Sequence, residues 1–316
     1  MKKLWILTVS LLVGSVVWAA TPDPLTTECE TVYSITSASL SPEMPTAGNG
    51  RFSVSDSKIV RFSPGNLNYD AGTKVFYFHA DQYSFYKNTE CNEGNMDLDT
   101  DLFGYGTSGY GVGLSNPNAN YPTICWGDDF AEFPNKMAVG DIAGTQFDWG
   151  VHNPIKYGDK NFLADEWRTL TLAEWQYLVY HRPNADKLYS AAIVNGNLGL
   201  IILPDDWVLP AGSQFTTGLS YNHLNAARAP QNTYTGEAWT VMENAGAVFL
   251  PAAGCIGKVG DGYEHIPNYC CYITATQGAD PYTMYRMDFG HEDITPRIQT
   301  TTKNTRSSVR LVQDWK

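Results

Sequence analysis

Beyond the N-terminus, the apolar residues of this chain stand in short runs that proline closes. Residues 198–203 (LGLIIL) end at Pro204, and residues 247–250 (AVFL) end at Pro251. Runs of about four to six apolar residues between breakers are typical of buried strands, whereas a helix usually needs about ten residues or more. We therefore predict a chain built mainly from short strands and ordered loops.

Two segments carry the signals of helices. Thr171 and Glu174 form a T-x-x-E capping box, in which each side chain satisfies a backbone N–H that the first helical turn leaves unpaired. The apolar face that follows consists of Leu172, Trp175, Leu178 and Val179. A second helix is predicted over residues 236–244, with Thr235 as its cap. The inward face of this second helix is predicted to consist of Trp239 and Met242.

Alternation of apolar and polar residues predicts further strands. Residues 58–62 and 74–79 are predicted to be two strands joined through a turn at residues 64–66. Towards the C-terminus, residues 285–289 and 309–311 alternate in the same way, with arginine or aspartate between the apolar side chains. Together with the two helices, these strands predict a mixed α+β chain with a closing C-terminal strand.

The first 20 residues have the anatomy of a secretory signal peptide. Lys2 and Lys3 precede the apolar stretch 4–18, and Ala19 and Ala20 supply the small residues of a cleavage site. No later stretch approaches the roughly 20 apolar residues that span a bilayer. We expect a protein that is secreted to the periplasm or the cell surface, without membrane insertion after signal cleavage.

Signal cleavage leaves an acidic chain, in which a linker or tether rich in Thr, Ser and Pro (21–50) precedes a single domain (51–316). The loss of two lysines with residues 1–20 changes the formal net charge from −12 to −14. Such a chain repels phosphate backbones, because nucleic-acid affinity rests on clustered Lys and Arg. Nucleic-acid partners are therefore not expected.

Six cysteines in an oxidising compartment favour disulfides over free thiols or metal sites. We predict a bond between Cys91 and Cys125, because they are neighbours in sequence, and a bond of Cys255 with Cys270 or Cys271. The adjacent Cys270 and Cys271 are expected to point to opposite faces of a strand and hence to have different partners. Six cysteines allow 15 connectivities, so the pairing stays open.

Residues 104–109 fit the G-x-G-x-x-G pattern of a dinucleotide-binding turn. That turn needs a buried strand before it and the start of a helix after it, where the phosphates bind. Here the acidic segment 95–101 precedes the glycines, and the Asn-rich segment 114–120 follows them. We predict instead a tight, closely packed turn that holds Tyr105 and Tyr110 against the rest of the fold, and no nucleotide cofactor.

No other constellation in the sequence carries recognisable chemistry. Asp97, Asp99 and Asp101 match the opening of an EF-hand loop, but Leu102 stands where that loop has Gly. The sequence therefore does not decide whether calcium binds near these residues. The acidic doublets place neighbouring carboxylates on opposite faces of an extended chain, and the six histidines lack zinc-binding spacing. A non-enzymatic protein without a cofactor is the expectation.

Several segments occur in an order that resembles a family of exported proteins common in Bacteroidales. The segments are RFSPGNL (61–67), DLFGYGTSGY (101–110), FDWG (147–150), WRTLT (167–171), LPDDW (203–207), GAVFLPAAG (246–254) and SVRLV (308–312). This set is similar to the Fibrobacter succinogenes major paralogous domain family and, more distantly, to the formylglycine-generating-enzyme-like branch of the C-type-lectin-like fold.

The resemblance implies an α+β domain of the C-type-lectin-like fold, in which two short helices flank twisted antiparallel sheets with long ordered loops, and the termini lie close together. It implies no activity. Two departures from the family pattern coincide: residues 269–274 replace an aromatic-Trp-Ser-Ser stretch, and Cys255 stands where an aromatic residue is usual. A local disulfide in place of aromatic packing would account for both departures.

Function is expected to reside in loops that a rigid scaffold presents. The leading hypothesis is an exported binding or cell-surface module that recognises a glycan, a protein or a peptide through an aromatic-rich surface. That surface is predicted to consist of Tyr263, His265, Tyr269, Tyr272, Tyr282, Tyr285, Arg286 and Arg297. The alternatives are a structural subunit of an extracellular assembly or adhesin, with residues 21–50 as its working part, and a thiol or copper oxidase that uses Cys270 and Cys271.

Overall fold

Strands dominate the described part of the chain, and its helices are few and short. The computed structural model describes residues 50–86, 99–110, 139–221, 231–259, 262–266, 268–290 and 293–316, with the backbone alone for residues 258–259 and 262–266. These residues fall within one unit, Met44–Lys316. The helices are α1 (Trp149–His152), α2 (Leu172–Gln176), a π-helical turn that continues α2 (Tyr177–His181), a 3₁₀ turn (Ala185–Lys187) and α3 (Gly236–Asn244). Within the described ranges, no helix is long and apolar enough to span a membrane.

The described strands form five sheets. Their bounds are β1 (Phe52–Ser53), β2 (Ile59–Phe62), β3 (Leu67–Asp70), β4 (Val75–Phe78), β5 (Leu102–Phe103), β6 (Ile155–Tyr157), β7 (Lys160–Phe162), β8 (Arg168–Thr169), β9 (Tyr189–Val194), β10 (Asn197–Ile202), β11 (Thr233–Tyr234), β12 (Val248–Pro251), β13 (Cys255–Val259), β14 (Gly262–Ile266), β15 (Cys270–Gln277), β16 (Thr283–Phe289), β17 (Arg297–Thr302), β18 (Ser307–Ser308) and β19 (Leu311–Asp314). The strand orders are β1-β2-β19-β8, β3-β4-β6-β7, β11-β9-β10-β12, β13-β14 and β17-β16-β15-β18-β5.

The chain is thus mostly β, where the sequence predicted α+β with antiparallel sheets. Most strand pairs are antiparallel, but β4–β6, β9–β11 and β15–β18 are parallel. Parallel partners need a crossover connection, and in each of these pairs the two strands are separated by a long stretch of chain. The sheets are therefore a mixture of hairpins and crossovers.

Both helices predicted from capping signals are present with the predicted caps. The Thr171 hydroxyl accepts from Glu174 N at 3.2 Å, and the Glu174 carboxylate accepts from Thr171 N at 2.9 Å, which confirms the capping box. The Thr235 side chain caps α3, whose buried residues are Trp239 and Met242. Each cap contributes about 1 kcal/mol to the free energy of unfolding.

The first and last strands of the described unit lie in one sheet. β19 is inserted between β2 and β8, with Val312 opposite Phe62. The prediction that residues 58–62 and 74–79 are two strands joined by one turn is therefore wrong, because another strand lies between them in the chain and they belong to different sheets. The segment Leu67–Asp70 forms a strand of its own that pairs with β4, while β2 pairs with β1 and β19.

The sheet β11-β9-β10-β12 contains both predicted buried strands, since residues 198–203 and 247–250 are present as β10 and β12. β9 and β10 form a hairpin whose turn, Asn195-Gly196, has a positive φ at both residues (47° and 79°). Asn-Gly is the pair that two-residue hairpin turns favour. Gly199 allows the Phe249 ring of β12 to occupy the place of its missing side chain.

Arg310 departs from the alternation predicted for the C-terminal strand. Its side chain is buried, and it donates to Asn66 Oδ1 at 3.3 Å and to Gln82 Oε1 at 3.0 Å. Burial lowers the pKa of Arg310 to about 10. The arginine lies inside the fold because amide oxygens replace the water that it loses.

The glycine run 104–109 is a packed turn, as predicted. Two of its glycines have a positive φ (72° and 89°), a backbone conformation that side chains disfavour. Tyr105 is buried, and its hydroxyl oxygen lies 3.1 Å from the carbonyl oxygens of Gly140 and Ala275. Tyr110 is more exposed, but its ring packs edge-on against a neighbouring phenylalanine. The turn therefore anchors the fold through its aromatic side chains.

Candidate functional site

One face of the sheet formed by β15, β16 and β17 is polar towards the end where Cys271 lies, whereas Ile273 and Met284 on the same face belong to an apolar cluster. Cys271 lies directly opposite Asp288, which lies opposite Arg297 on the next strand. Arg286 lies opposite Gln299 in the same way. Residues opposite one another in adjacent strands share a face, and so do residues two apart in one strand. The register therefore places all five side chains on one side of this sheet, which we call the polar face.

The other side of β15 belongs to the core. Cys270 and Tyr272 are completely buried in an apolar cluster there. The Cys270 thiol donates to Leu250 O at 3.2 Å and lies 3.1 Å from the Tyr221 hydroxyl. Burial raises the pKa of the Cys270 thiol to about 12. The two adjacent cysteines thus point to opposite faces, as the sequence predicted.

Cys255 reaches the polar face from a different sheet. Gly254 N donates to Tyr269 O at 2.9 Å, which ties the start of β13 to the start of β15. Cys255 and Cys271 are both buried, and each thiol shifts the pKa of the other. The structure holds Cys255, Cys270 and Cys271 as free thiols, whereas the sequence predicted a disulfide of Cys255 with one of the other two. Cys270 faces the core, so only Cys271 meets Cys255.

Two charged side chains lie beside the thiol pair. Arg286 Nε is 2.7 Å from Asp288 Oδ1, in an ion pair that lacks the alignment of a hydrogen bond. The Gln299 side-chain amide donates to the other oxygen of Asp288. The Asp288 side chain is completely buried, whereas that of Arg286 keeps 14% of its surface exposed. The carboxylate is therefore held on both sides, and the guanidinium lies at the boundary between the interior and solvent.

The surroundings push the two thiol pKa values apart. The neighbouring Cys271 thiol lowers the pKa of Cys255, and the positive charge of Arg286 adds to this effect against burial and Asp288. The Cys255 thiol, together with burial, raises the pKa of Cys271. Burial raises the pKa of Asp288 against the opposing charge of Arg286.

The structure gathers part of the predicted aromatic and arginine surface and separates the rest. Tyr269 and Tyr282 are half-buried and lie at opposite ends of the β15–β16 pair. Tyr272 is a core residue, whose hydroxyl donates to Pro251 O at 3.0 Å, so it contributes no ligand-binding surface. Tyr285 lies on the core side, opposite to Arg286, because the two are consecutive in β16.

Arg297 is the most exposed of the predicted side chains that the structure describes. Its side chain is 52% exposed, and Arg297 Nε is 3.0 Å from Asp293 Oδ1. Tyr263 and His265 lie in β14, opposite Lys258 and Ile256, and only their backbone is described. Arg286 and Arg297 are therefore the two predicted residues that the described polar face brings together.

Other predicted residues lie outside the described ranges or have structural partners. Cys91, Cys125 and Asp97 fall outside those ranges, so their predicted roles are not tested. Asp99 Oδ1 accepts from the backbone N of Ala71 at 3.0 Å. Asp101 Oδ2 accepts from Tyr86 N at 2.8 Å and lies 3.2 Å from His79 Nε2. Within the ranges the structure describes, no group of three or more His, Cys, Asp or Glu side chains could hold a metal ion.

Asp288 and Gln299 also belong to the site, although neither was predicted from the sequence. Asp288 stands two residues from Arg286 in an alternating strand, and that spacing alone indicates a common face. Gln299 joins the site only through the register of β17 against β16, which the sequence does not show. Comparisons with protein families, curated proteins and solved structures found no match to this chain.

Proposed function

We propose that this chain is an exported, non-enzymatic module that binds a glycan or a peptide on the polar face of β15–β17. The observation that carries the proposal is the cross-strand register of Arg286 with Gln299 and of Asp288 with Arg297. Guanidinium and amide groups are donors suited to carboxylates, hydroxyls and main-chain carbonyls. Their exposure is graded, from Arg286 at the boundary of the interior to Arg297 in solvent.

An aromatic side chain borders this donor-rich surface. Tyr269 packs against Gly290, where a side chain would collide with the tyrosine ring. Gly290 follows the end of β16, the end at which Asp288 and Arg297 lie opposite one another. A half-buried tyrosine beside arginines is a combination that binds sugars and peptides, since the ring stacks and the arginines hydrogen-bond.

We also propose that the chain has a C-type-lectin-like fold and is secreted to the periplasm or the cell surface. Two features support a C-type-lectin-like fold: the pairing of β2 with β19, and the two capped helices α2 and α3 between them. The apolar N-terminal segment with Lys2 and Lys3 supports secretion to the periplasm or the cell surface. A scaffold of this kind would hold the polar face rigidly for a ligand.

The test is a screen of the mature protein, residues 21–316, against glycan and peptide arrays. We expect at least one class of glycan or peptide to bind, and Arg297→Gln to weaken that binding at least tenfold. Arg51→Gln is the matched control, because Arg51 is also exposed and its guanidinium carbon lies 5.6 Å from the ring centre of Trp315 in another part of the surface. Binding in this control should equal that of the wild type.

Two results would contradict the proposal. One is the absence of any ligand on both arrays for a protein that circular dichroism shows to be folded. The other is binding that Arg297→Gln leaves unchanged, which would place the ligand elsewhere on the surface. Fluorescence titration with the strongest ligand gives the affinity of each variant.

A further inference from the structure

We propose that the outer edge of β17 binds an extended peptide, which joins the sheet as an additional strand through main-chain hydrogen bonds. The inference goes beyond the binding proposed above, because it uses backbone groups at the edge of the sheet and not the side chains of the polar face. Either proposal can therefore fail without the other.

β17 is the last strand of the five-stranded sheet β17-β16-β15-β18-β5 and pairs with β16 alone. Its six residues pair with β16 in one unbroken register. No edge strand within the described ranges is longer. The strand is also accessible, since Ile298 and Thr301 are half-buried and its other residues are exposed. A long, regular and accessible edge is the kind to which extended peptides add.

The ladder between β16 and β17 shows which backbone groups of β17 point outwards. Lys303 N, directly after the strand, donates to Tyr282 O at 2.9 Å. Consecutive residues of a strand direct their backbone groups to opposite sides, so the odd-numbered residues of β17 face β16. Ile298, Thr300 and Thr302 therefore face away from β16. In the part of the chain that the structure describes, no hydrogen bond joins Thr300 N or Thr300 O to another residue.

Both ends of this outer edge are closed, which leaves an opening between them. At one end, the Tyr180 hydroxyl donates to Pro296 O at 2.7 Å. At the other end, Thr302 O accepts from a backbone N–H of the following turn at 3.0 Å. The opening is about 13 Å long, the length of about five extended residues. It contains the carbonyl of Ile298, both backbone groups of Thr300 and the N–H of Thr302, so a peptide can form four main-chain hydrogen bonds there.

A second copy of this chain fits the opening less well than a peptide does. If two copies paired through β17 in antiparallel fashion, the Tyr180 side chain of each copy would meet the turn 302–305 of the other. The formal net charge of −12 also makes two copies repel one another. A short peptide meets neither obstacle.

The side chains along the opening indicate the composition of the peptide. Residues 298–302 (IQTTT) contain no charge and three threonines. Neither a lysine, a proline nor a bulge interrupts this stretch, although these are the devices that usually block an edge. Threonine pairs well across strands with β-branched and hydroxyl side chains. We therefore expect the peptide to be uncharged and rich in Thr, Val and Ile.

The experiment selects binders to the mature protein from a random peptide library displayed on phage. The peptide with the highest affinity is synthesised, and fluorescence titration gives its dissociation constant. We expect an uncharged, β-branched sequence that protects the amides of Thr300 and Thr302 from hydrogen exchange, as measured by NMR. A library that contains no binder, or saturation that leaves both amides unprotected, would overturn the proposal.

Two substitutions at Thr300 separate the contribution of the backbone from that of the side chain. Thr300→Pro removes the outward N–H and leaves the ladder with β16 intact, because an edge strand tolerates proline where the N–H faces solvent. We expect it to weaken peptide binding at least tenfold. Thr300→Val is the matched control, because it keeps the N–H and the β-branched shape, and its affinity should stay within twofold of the wild type. Wild-type affinity in Thr300→Pro would overturn the proposal.

Modified peptides provide a test that does not depend on the folding of a variant. N-methylation of every second peptide residue removes the N–H groups on one side of an extended chain. One of the two alternating patterns should abolish binding, and the other should leave the affinity within threefold. Equal affinities for both patterns would show that main-chain pairing is not the mode of binding.

One further variant and one further measurement identify the competing outcomes. Arg297→Gln should leave the affinity for this peptide within threefold of the wild type. If Arg297→Gln weakens binding and Thr300→Pro does not, the peptide lies on the polar face, which would overturn this inference and support the function proposed above. A dimer that Thr300→Pro converts to a monomer in analytical ultracentrifugation would show that a second copy occupies the edge.

Discussion

Cys270 and Cys271 are consecutive in sequence, yet they occupy opposite chemical environments. Cys270 lies among apolar residues with Tyr221, and burial raises the pKa of its thiol to about 12. Cys271 lies on the other face, opposite Asp288, which forms an ion pair with Arg286. The two faces of β15 thus combine the same residue type with different neighbours. Cysteine chemistry in this chain is set by strand register rather than by proximity in sequence.

The core face should be the more sensitive to substitution. Tyr272 is completely buried there, and its hydroxyl donates to Pro251 O at 3.0 Å. We expect Tyr272→Ala to lower the free energy of unfolding by about 4 kcal/mol, since it leaves a large cavity. Tyr272→Phe removes only the hydroxyl and should lower it by about 1 kcal/mol. Urea unfolding measures both changes. A loss below about 1 kcal/mol for the alanine variant would show that the core face is not the more sensitive of the two.

Cys255 and Cys270 are expected to differ in their reactivity towards alkylation. Cys255 and Cys270 are both buried, so access favours neither, but only Cys255 has a lowered pKa. At pH 7 we expect N-ethylmaleimide to modify Cys255 at least about 100-fold faster than Cys270, because the thiolate is the reactive form. Timed labelling with mass spectrometry gives both rates. Equal rates would mean that local opening, and not the pKa, controls reactivity.

A buried carboxylate elsewhere shows what happens when no cation lies in contact. Asp148 is completely buried and accepts from the backbone N and the hydroxyl of Thr169 at 2.8 and 2.9 Å. Burial raises the pKa of Asp148 to about 6. The folded state therefore holds the proton more tightly than the unfolded state. The contribution of Asp148 to stability is therefore greatest below about pH 4 and is lost as the pH rises to about 6, by an amount on the order of 2–3 kcal/mol.

Asp148→Asn tests this sign, because the variant lacks the titrating group. We expect the pH dependence of its unfolding free energy between pH 4 and pH 7 to be flatter than that of the wild type, whatever its absolute stability. Urea unfolding at four pH values in this range gives the slope. Identical slopes in both proteins would mean that other groups cause the dependence.

The smallest effect is expected at the outer edge of the polar face. Arg297→Gln removes a half-exposed ion pair with Asp293, and such surface pairs contribute little. We expect its free energy of unfolding to lie within about 0.5 kcal/mol of the wild type. A loss above about 1 kcal/mol would show that Arg297 has a structural role, and a change in ligand binding could then not be attributed to a lost contact.

Local signals predicted local structure well. Thr171 and Glu174 are three residues apart, so the sequence alone contained both halves of the capping box that the structure shows. The same holds for Thr235 and the inward Trp239 of α3. The opposite directions of Cys270 and Cys271 also followed from the geometry of a single strand.

Pairings between distant segments could not be predicted in the same way. Residues 58–62 and 74–79 were predicted to be two strands joined by one turn, because nothing in the sequence indicates that β2 pairs with β19. It left the partner of Cys255 open between two adjacent residues, since the choice depends on how β13 meets β15 in space. Arg310 was predicted only as the polar position of an alternating strand. The amide oxygens that allow its burial come from Asn66 and Gln82, more than 200 residues earlier in the chain.

The position of β19 has a consequence for the order in which the chain can mature. β2 leaves the ribosome long before β19, and one of its edges stays open until residues 311–314 follow. An open edge can pair with another chain during that interval. We therefore expect a nascent chain of this protein to need shielding by a chaperone until β19 has been made.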